Sequence, residues 1–416
     1  MDSLRRADPE IAKAIDAEVA RQAETIELIA SENHVSAPVL TALGTVLTDK
    51  YSEGYPGRRY YCGCENIDTI EQLCIDRAKK LFGADHANVQ PHCGTSANLA
   101  VYMAALKPGD KIMGMHIEHG GHLSHGLNIN FSGRWFQAAH YGVNRKSEML
   151  DMDEVRQAVL KERPSMLIVG ASSYPRMIDF EGFGEIAREA GCLLLADIAH
   201  IAGLVVGGVH PNPMPYCDFV TTTNHKTLRG PRGGIILCRR QFARAIDQAV
   251  FPGMQGGPLP HVIAAKAIAF QEAMQPEFKW YAAAIVANAK ALAEAMVQRG
   301  WRLVTGGTDN HLMLIDLRSR DEHLTGHVAA QWLAAAGIIS NKNVVPFDTR
   351  GPKETSGLRL GTPAVTTRGM RPDQMNKLAD WIDRILSSAG SEEVIRQVRG
   401  AVREFCKQFP IPAQRE

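Results

Sequence analysis

The chain has 416 residues, of which 46 are lysine or arginine and 45 are aspartate or glutamate. This length predicts two domains, or one large and one small, and the balanced charge without a polybasic run disfavours nucleic acid and anionic membranes as partners. No apolar run is long enough to span a bilayer, and the first residues are too polar for a secretory signal. The scattered cysteines are typical of reduced thiols in a cytoplasmic enzyme.

A helix is predicted near the N-terminus, over residues 8–22, because Asp8-Pro9 is a helix-start signal. Its apolar residues form one narrow stripe, which would pack on this subunit or on a partner: Ile11, Ile15 and Val19.

Between about residues 70 and 275, apolar β-type runs alternate with helical stretches. The runs are residues 111–115, 166–170, 193–196, 219–223 and 234–238. This alternation predicts an α/β fold, in which a mostly parallel sheet is covered by helices and ligands bind at the carboxyl ends of the strands.

The pattern changes near residue 276. A long alanine-rich helix is predicted over 277–299 and ends at Gly300. Strand-like runs at 301–304, 311–317 and 356–360, with separate helices, predict a smaller α+β domain.

Two residues at predicted strand ends indicate the chemistry. Asp197 ends the buried run at 193–196, and Lys226 lies between the run at 219–223 and a glycine-rich turn. A lysine held in this way suits Schiff-base chemistry if its neighbours lower its pKa. An acid that pairs with a pyridinium nitrogen and a lysine that binds an aldehyde are what pyridoxal 5'-phosphate (PLP) requires.

Residues 92–98 precede a helical run and are rich in small and hydroxyl side chains, with Gly94 and Thr95 at the helix start. Free N–H groups and the helix dipole there favour an anion such as a phosphate. An ordinary helix cap explains the same residues if they are taken alone.

Histidine recurs at every third position from His116 to His125. A metal site is one interpretation, but Gly120-Gly121 interrupts any helix and no carboxylate lies at the spacing of zinc proteases. We therefore predict no metal. An imidazole stacked on a cofactor ring is the preferred interpretation for one of these histidines.

Residues 51–61 combine four tyrosines, Glu53 and two arginines around turn residues. Glu53 is a candidate general acid–base and the tyrosines are candidate proton donors. A tyrosine-rich subunit interface is the alternative, and the two interpretations are compatible.

Arg359 lies in a short apolar strand, where an unpaired charge is costly. Either a substrate carboxylate gripped by two N–H donors or an internal salt bridge would satisfy this arginine.

Over nearly its whole length the chain resembles the serine hydroxymethyltransferases. The motifs that carry the resemblance are residues 27–33, 50–61, 120–126, 197–203, 221–234, 255–258, 341–343 and 361–366.

The resemblance implies the aspartate-aminotransferase-like fold, PLP fold type I, with a large seven-stranded, mostly parallel sheet domain and a smaller C-terminal α+β domain. The expected parts are an N-terminal arm at a dimer interface (1–40), the large PLP-binding domain (41–275) and the small domain (276–416). The family likeness also implies an obligate homodimer, or a tetramer of two dimers, with active sites at the subunit interface.

The resemblance further implies roles for individual residues. Lys226 would bind the PLP aldehyde, Asp197 would pair with the pyridine nitrogen and His122 would stack on the ring. The remaining cofactor contacts would be His200, Ser172, His225, Gly94 and Thr95, with Gly257 from the partner. The substrate contacts would be Ser31, Arg359 and the partner's Tyr51. Glu53 and Tyr61, also from the partner, would transfer protons. Tetrahydrofolate would contact Leu123, Gly121 and Asn343.

The chain departs from the family at several motif positions: Cys93, Thr95, Ser96, Asn224, His34, Cys62 and the pair Glu118-His119. The expected reaction is the reversible cleavage of serine to glycine, with the one-carbon unit passing to tetrahydrofolate. Because burying one methyl group is worth only about 1 kcal/mol, a retuned pocket is the alternative. Such a pocket would act on 2-methylserine, with folate or as a simple aldolase, and would give alanine.

Overall fold

The computed structural model describes residues 2–414. The strands, numbered along the chain, are β1 (Ile26–Glu27), β2 (Gly54–Tyr55), β3 (Arg58–Arg59), β4 (His86–Asn88), β5 (Lys111–Met115), β6 (Gln137–Tyr141), β7 (Met166–Val169), β8 (Leu193–Asp197), β9 (Phe219–Thr223), β10 (Gly234–Cys238), β11 (Arg302–Leu303), β12 (Leu312–Asp316), β13 (Ile338–Ile339), β14 (Asn341–Asn343) and β15 (Gly357–Gly361).

The α-helices, numbered in the same way, are α1 (Asp2–Ala7), α2 (Pro9–Glu24), α3 (Ala37–Leu43), α4 (Glu65–Phe82), α5 (Gly94–Ala105), α6 (Phe131–Trp135), α7 (Met152–Glu162), α8 (Phe180–Ala190), α9 (Ala202–Val206), α10 (Ala243–Gln248), α11 (Pro260–Ala273), α12 (Pro276–Gln298), α13 (Gly326–Ala335), α14 (Pro363–Thr367), α15 (Pro372–Ser387) and α16 (Glu392–Cys406).

The large sheet has seven strands in the order β4-β10-β9-β8-β7-β5-β6. Its pairs are parallel except those of β10, which runs antiparallel to both β4 and β9. The predicted runs are β5, β7, β8, β9 and β10, so the predicted α/β sheet is confirmed. The connection from β9 to β10 is short, and it carries Lys226.

Both faces of this sheet are buried. Successive residues of β7 alternate between two hydrophobic clusters, with Leu167 and Val169 in one and Met166 and Ile168 in the other. Alternation of side chains is the rule in a strand, and a parallel sheet needs cover on both faces. Because helices occupy both faces, the open ends of the strands are left for a ligand.

A smaller antiparallel sheet has the order β11-β12-β15-β14 and packs with α12, α13 and α15 around a core of its own. The N-terminal segment joins this part, because β1 pairs with β13 and the side chains of Ile26 and Leu28 are fully buried there. The domain limits at residues 40 and 275 stay predictions.

Among residues 2–414, no helix combines the length and apolar character needed to cross a membrane.

The stripe predicted on the N-terminal helix lies on α2 and remains uncovered within one chain. Ile11, Ile15 and Val19 are 51%, 39% and 44% exposed.

Candidate active site

A cavity of about 490 Å³ opens at the carboxyl ends of β8 and β9. Its walls come from both sheets and from the N-terminal segment. The lining residues are Ser31, Glu32, Cys93, Gly94, Thr95, His122, His125, Ala171, Ser172, Asp197, Ala199, His200, Thr223, His225, Lys226, Arg232 and Arg359.

Lys226 follows β9 in the turn that leads to β10. The turn is closed by a hydrogen bond from the Gly230 N–H to the Asn224 carbonyl, and the Lys226 carbonyl accepts a bond from Asn33 Nδ2 at 2.9 Å. The Lys226 amine forms no hydrogen bond or ion pair with any of residues 2–414. Burial lowers the pKa of this amine to about 8, Asp197 opposes that change, and Arg359 and Arg232 add to it. The neutral, nucleophilic amine is therefore roughly one tenth of the population at pH 7, far more than for a free lysine with a pKa of about 10.4.

Asp197 ends β8 and is held by three donors. Its Oδ2 accepts bonds from Asn98 Nδ2 (2.8 Å) and pairs with His125 Nε2 (3.0 Å), while its Oδ1 accepts the Ala199 N–H (3.1 Å). Burial alone would raise the pKa of Asp197, but the His125 contacts and the other donors hold it well below its usual range. The carboxylate is therefore a fixed negative charge, as a pyridinium partner requires.

His122 precedes a short helical turn, and its Nδ1 lies 2.7 Å from Ser124 Oγ. Burial lowers the pKa of His122 to about 4, with a smaller contribution from His125, so the ring is neutral and suited to stacking. His122, His125 and Asp197 each place one ligand atom within 4.8 Å of the others, the one such group in the described part of the chain. Two of these three side chains, His122 and Asp197, are those expected around a cofactor ring.

The N-terminus of α5 forms one end of the cavity. Cys93 caps the helix, since its Sγ accepts the Ser96 N–H at 3.4 Å, and the N–H groups of Gly94 and Thr95 have no acceptor among residues 2–414. A Cβ atom at position 94 would lie 2.8 Å from Thr223 Cγ2, so the close approach to β9 requires glycine. These free donors and the positive end of the helix dipole form a cradle that favours an anion such as a phosphate.

Arg359 lies on β15 and is 9% exposed. Its Nη1 donates to the Ser172 carbonyl at 2.7 Å and its Nε donates to Asn341 Oδ1 at 3.1 Å. Burial lowers the pKa of Arg359 to about 10, which leaves it charged. No carboxylate of residues 2–414 forms an ion pair with it, so the internal salt bridge considered from the sequence is absent. The cation is therefore available to an anionic substrate group.

Four of the predicted residues lie outside this cavity and cluster together elsewhere on the chain: Tyr51, Glu53, Tyr61 and Gly257. The rings of Tyr51 and Tyr61 meet edge to face with centroids 5.6 Å apart, and Glu53 raises the pKa of Tyr61. Gly256 and Gly257 face this group, because Cβ atoms there would lie 3.4 Å from Glu53 and 3.1 Å from Tyr51. Tyr51 and Tyr61 are 59% and 49% exposed, so the cluster is presented outward.

The predicted folate residues lie beside the cavity and do not line it. Leu123 follows the lining residue His122 and is largely exposed. Asn343 donates to Ser173 Oγ at 3.4 Å, next to the lining residue Ser172. Gly121 is buried, and a side chain there would collide with the Met115 carbonyl.

Sequence reasoning missed several residues that shape the site: Asn98, His125, Arg232, Glu32 and Thr223. Asn98 and His125 fix Asp197 through contacts across 99 and 72 residues of sequence, which no local pattern reveals. Arg232 could have been found, because it follows Lys226 in the same glycine-rich turn. Conversely, the unusual Asn224 is fully buried and does not line the cavity.

PLP fits the residues of this cavity. An unpartnered amine lies at Lys226, an ionised acid at Asp197, a neutral ring at His122 and free N–H donors at the start of α5, all around one space. His225 adds a buried Nδ1 without a partner among the described residues. An aldehyde, a pyridine nitrogen, an aromatic face and a phosphate would satisfy these groups together.

Comparison with known proteins agrees with this geometry. The sequence model of the serine hydroxymethyltransferase family matches residues 4–382. A protein named serine hydroxymethyltransferase, from Nostoc sp. (strain PCC 7120), is 57% identical over 411 residues, which cover 99% of this chain and 96% of the relative. With a match of this extent, the chain belongs to the serine hydroxymethyltransferase family.

Proposed function

We propose that this protein interconverts serine and glycine and passes the one-carbon unit of serine to tetrahydrofolate. Membership of the family confirms the predicted class of enzyme, a PLP-dependent hydroxymethyltransferase, and the predicted fold type I. The 2-methylserine alternative is not favoured by the comparisons. The observation that carries the proposal is the single cavity in which Lys226, Asp197 and Arg359 face a common space.

The proposed cofactor site uses residues already placed around the cavity. Lys226 would hold the PLP aldehyde, Asp197 the pyridine nitrogen and His122 the ring face. Gly94, Thr95 and His225 would hold the phosphate, and His200 and Ser172 would lie near the ring hydroxyl. Bound PLP supplies an electron sink for the pair released when the Cα–Cβ bond of serine breaks.

We assign the substrate carboxylate to Arg359. Two of its nitrogens bond to neutral acceptors, and Nη2 has no partner among residues 2–414. A carboxylate would neutralise the buried charge and accept charge-assisted hydrogen bonds. Ser31 lines the same end of the cavity and would orient the bound amino acid. Fixing the carboxylate sets which bond at Cα stands perpendicular to the cofactor ring.

We propose that a second copy of the chain completes the site. Tyr51, Glu53, Tyr61 and Gly257 form one outward patch that does not reach the cavity of their own chain. In a two-fold dimer each chain offers the same patch and the same cavity, so two complete sites arise. Glu53 from the partner would then take and return the proton of the substrate hydroxyl, with Tyr61 as its hydrogen-bond partner. A tetramer of two such dimers is a further assembly of the same unit.

The folate site is proposed at Leu123, Gly121 and Asn343. Exposed Leu123 offers an apolar contact, and Asn343 offers an amide beside Ser173. Tetrahydrofolate placed there would lie next to His122 and Ser172, close to the hydroxymethyl group that it receives.

We also propose a cytoplasmic location. Its support is that all eight cysteines are free thiols, as a reducing compartment maintains.

A substrate comparison tests the reaction. Steady-state rates would be measured on L-serine and on 2-methylserine, each with and without tetrahydrofolate. We expect the highest kcat/KM on L-serine with tetrahydrofolate. A much higher value on 2-methylserine, or a rate on serine that ignores folate, would contradict the proposed reaction.

A further inference from the structure

A second buried histidine contacts the catalytic cavity only through His200. His311 immediately precedes β12, its side chain is fully buried, and its Nε2 lies 3.2 Å from Nδ1 of His200. His200 itself lines the cavity. His311 does not, and the described side chain that its ring contacts among the cavity-lining residues is His200.

The backbone at both histidines is held in place by the surrounding structure. The His200 carbonyl accepts a bond from Thr227 Oγ1 at 2.8 Å, and the His311 carbonyl accepts the Thr362 N–H at 3.0 Å. The neighbouring Asn310 donates to the Tyr174 carbonyl at 2.9 Å, which ties this strand start to the large sheet. The contact between the two rings is therefore a built feature of the interface between the two sheets.

Both rings are neutral. Burial lowers the pKa of His311 to about 3 and that of His200 well below its usual range, and the cations of Lys226 and Arg359 add to both effects. A neutral imidazole carries one N–H and one bare nitrogen. The contact at 3.2 Å therefore leaves two arrangements, which differ in which ring donates.

The far side of His311 distinguishes the two arrangements. Its Nδ1 is buried and has no hydrogen-bond partner among residues 2–414. If His200 donated, the hydrogen of His311 would sit on this Nδ1 as a buried N–H without an acceptor, and such groups are rare and costly. If His311 donates from Nε2, its Nδ1 is bare, and the hydrogen of His200 lies on Nε2, toward the cavity.

We propose that His311 is a positioning residue that fixes the hydrogen of His200 on Nε2, so that His200 donates a hydrogen bond into the catalytic cavity. The acceptor would be an oxygen of the cofactor or the substrate. In naming that acceptor, the inference rests on the proposed function. A wrong tautomer would turn the bare nitrogen of His200 toward that oxygen and replace attraction with repulsion.

The tautomer can be read directly by NMR. Protein with ¹⁵N-labelled histidine rings would be recorded with and without PLP, and the His200 signals would be assigned by their loss in His200→Asn. Ring nitrogens that carry hydrogen are well resolved from bare ones. We expect a hydrogen on Nε2 of His200 in both samples. A hydrogen on Nδ1 would overturn the proposal. Because the apoprotein suffices, a failure of serine turnover would refute the proposed function without affecting this result.

Paired variants test the role of His311. His311→Leu removes the donor, whereas His311→Gln keeps an amide N–H in its place. We expect the Nδ1–H form of His200 to appear in His311→Leu, with kcat/KM for serine reduced roughly fivefold to tenfold, the scale of one lost hydrogen bond. His311→Gln should keep the Nε2–H form and most of the rate.

The matched control is His86→Gln, which alters a partly buried histidine that contacts Asp247 and should leave the His200 signals unchanged. Equal losses in His311→Leu and His311→Gln, or unchanged His200 nitrogens in His311→Leu, would contradict the assignment. If His311→Leu does not fold, the spectra of the wild type and of His311→Gln still decide the question.

Discussion

At the scale of single residues, Lys226 and Arg359 bring two basic groups into one cavity without a carboxylate at ion-pair distance in the described part of the chain. Burying an unpaired charge is costly, so such groups facing a cavity are candidates for binding a ligand that compensates them. The two respond differently to burial. Arg359 stays charged, with a pKa of about 10, while the pKa of Lys226 falls to about 8. One therefore suits an anion and the other suits an aldehyde.

Arg359→Ala should mainly weaken substrate binding. Losing charge-assisted hydrogen bonds to a carboxylate predicts a rise in KM for serine of roughly 10- to 100-fold, with a smaller fall in kcat. Arg359→Lys keeps the charge but not the paired donors. Its KM for serine should therefore lie between those of the wild type and Arg359→Ala. Steady-state kinetics on all three proteins check this order. Unchanged KM in Arg359→Ala would show that the guanidinium serves the contacts to Ser172 and Asn341 alone.

The lowered pKa of Lys226 predicts a pH dependence. Burial favours the neutral amine, so its reactivity in the apoprotein should rise through a midpoint near pH 8, well below the value of about 10.4 for a free lysine. Trace acetylation followed by peptide mass spectrometry measures this midpoint. Asp197→Asn removes the charge that opposes the effect of burial, so the midpoint should move lower. A midpoint near that of free lysine, or an upward move in Asp197→Asn, would contradict the environment described.

At the scale of elements, the positions of the chemical groups follow from strand ends. β8 ends at Asp197, β9 ends three residues before Lys226, and α5 begins at Gly94. The sequence predicted these strands because β8 and β10 are mainly apolar runs and β9 is rich in β-branched residues. It did not reveal β4 and β6, since β4 has three residues and four of the five residues of β6 are at least partly exposed.

The start of α5 gives a test at this scale. Gly94→Ala would push its Cβ against Thr223 Cγ2, and overpacking of this kind should weaken PLP binding roughly tenfold. Adding Thr223→Ser deletes the colliding methyl group but keeps the hydroxyl, so the double variant should recover most of the affinity. Gly400→Ala, in α16 with no atom within 4 Å of the new Cβ, is the matched control. Affinities come from PLP titration of the apoprotein. Normal PLP affinity in Gly94→Ala would contradict the proposal that the start of α5 holds the phosphate.

The remaining site residues were beyond sequence reasoning for a physical reason. Asn98 and His125 act on Asp197 only after the sheet has formed, through side-chain contacts that link distant segments. The choice between a substrate contact and a salt bridge at Arg359 likewise required the positions of every carboxylate around it. Lys226 and Asp197 could be paired from the sequence because parallel strands bring their carboxyl ends to one edge.

At the scale of the whole molecule, the proposed dimer links two separate features of one chain, the cavity and the outward patch. The cavity holds the groups proposed for PLP and for the carboxylate, while Tyr61 and Glu53 lie outside it. The exposed stripe of α2 is a second apolar surface without cover. The proposed symmetric dimer would account for the patch and the cavity together.

Mixed dimers test whether sites are shared. Lys226→Ala and Glu53→Gln, each carried on a separately tagged chain, should both give inactive homodimers. In the mixed dimer one site combines an intact Lys226 with an intact Glu53 from the other chain, so about half of the wild-type activity should return. Purification through both tags isolates the mixed form for assay. Activity no higher than that of either homodimer would place Glu53 and Lys226 of one site in the same chain.

The central claim is that the buried amine of Lys226 holds the cofactor. Protein loaded with PLP would be reduced with borohydride and digested, and its peptides would be analysed by mass spectrometry, with Lys226→Ala treated in parallel. We expect one pyridoxyl group, located on Lys226, and none in the variant. A pyridoxyl group on another lysine, or no label after loading, would contradict the account.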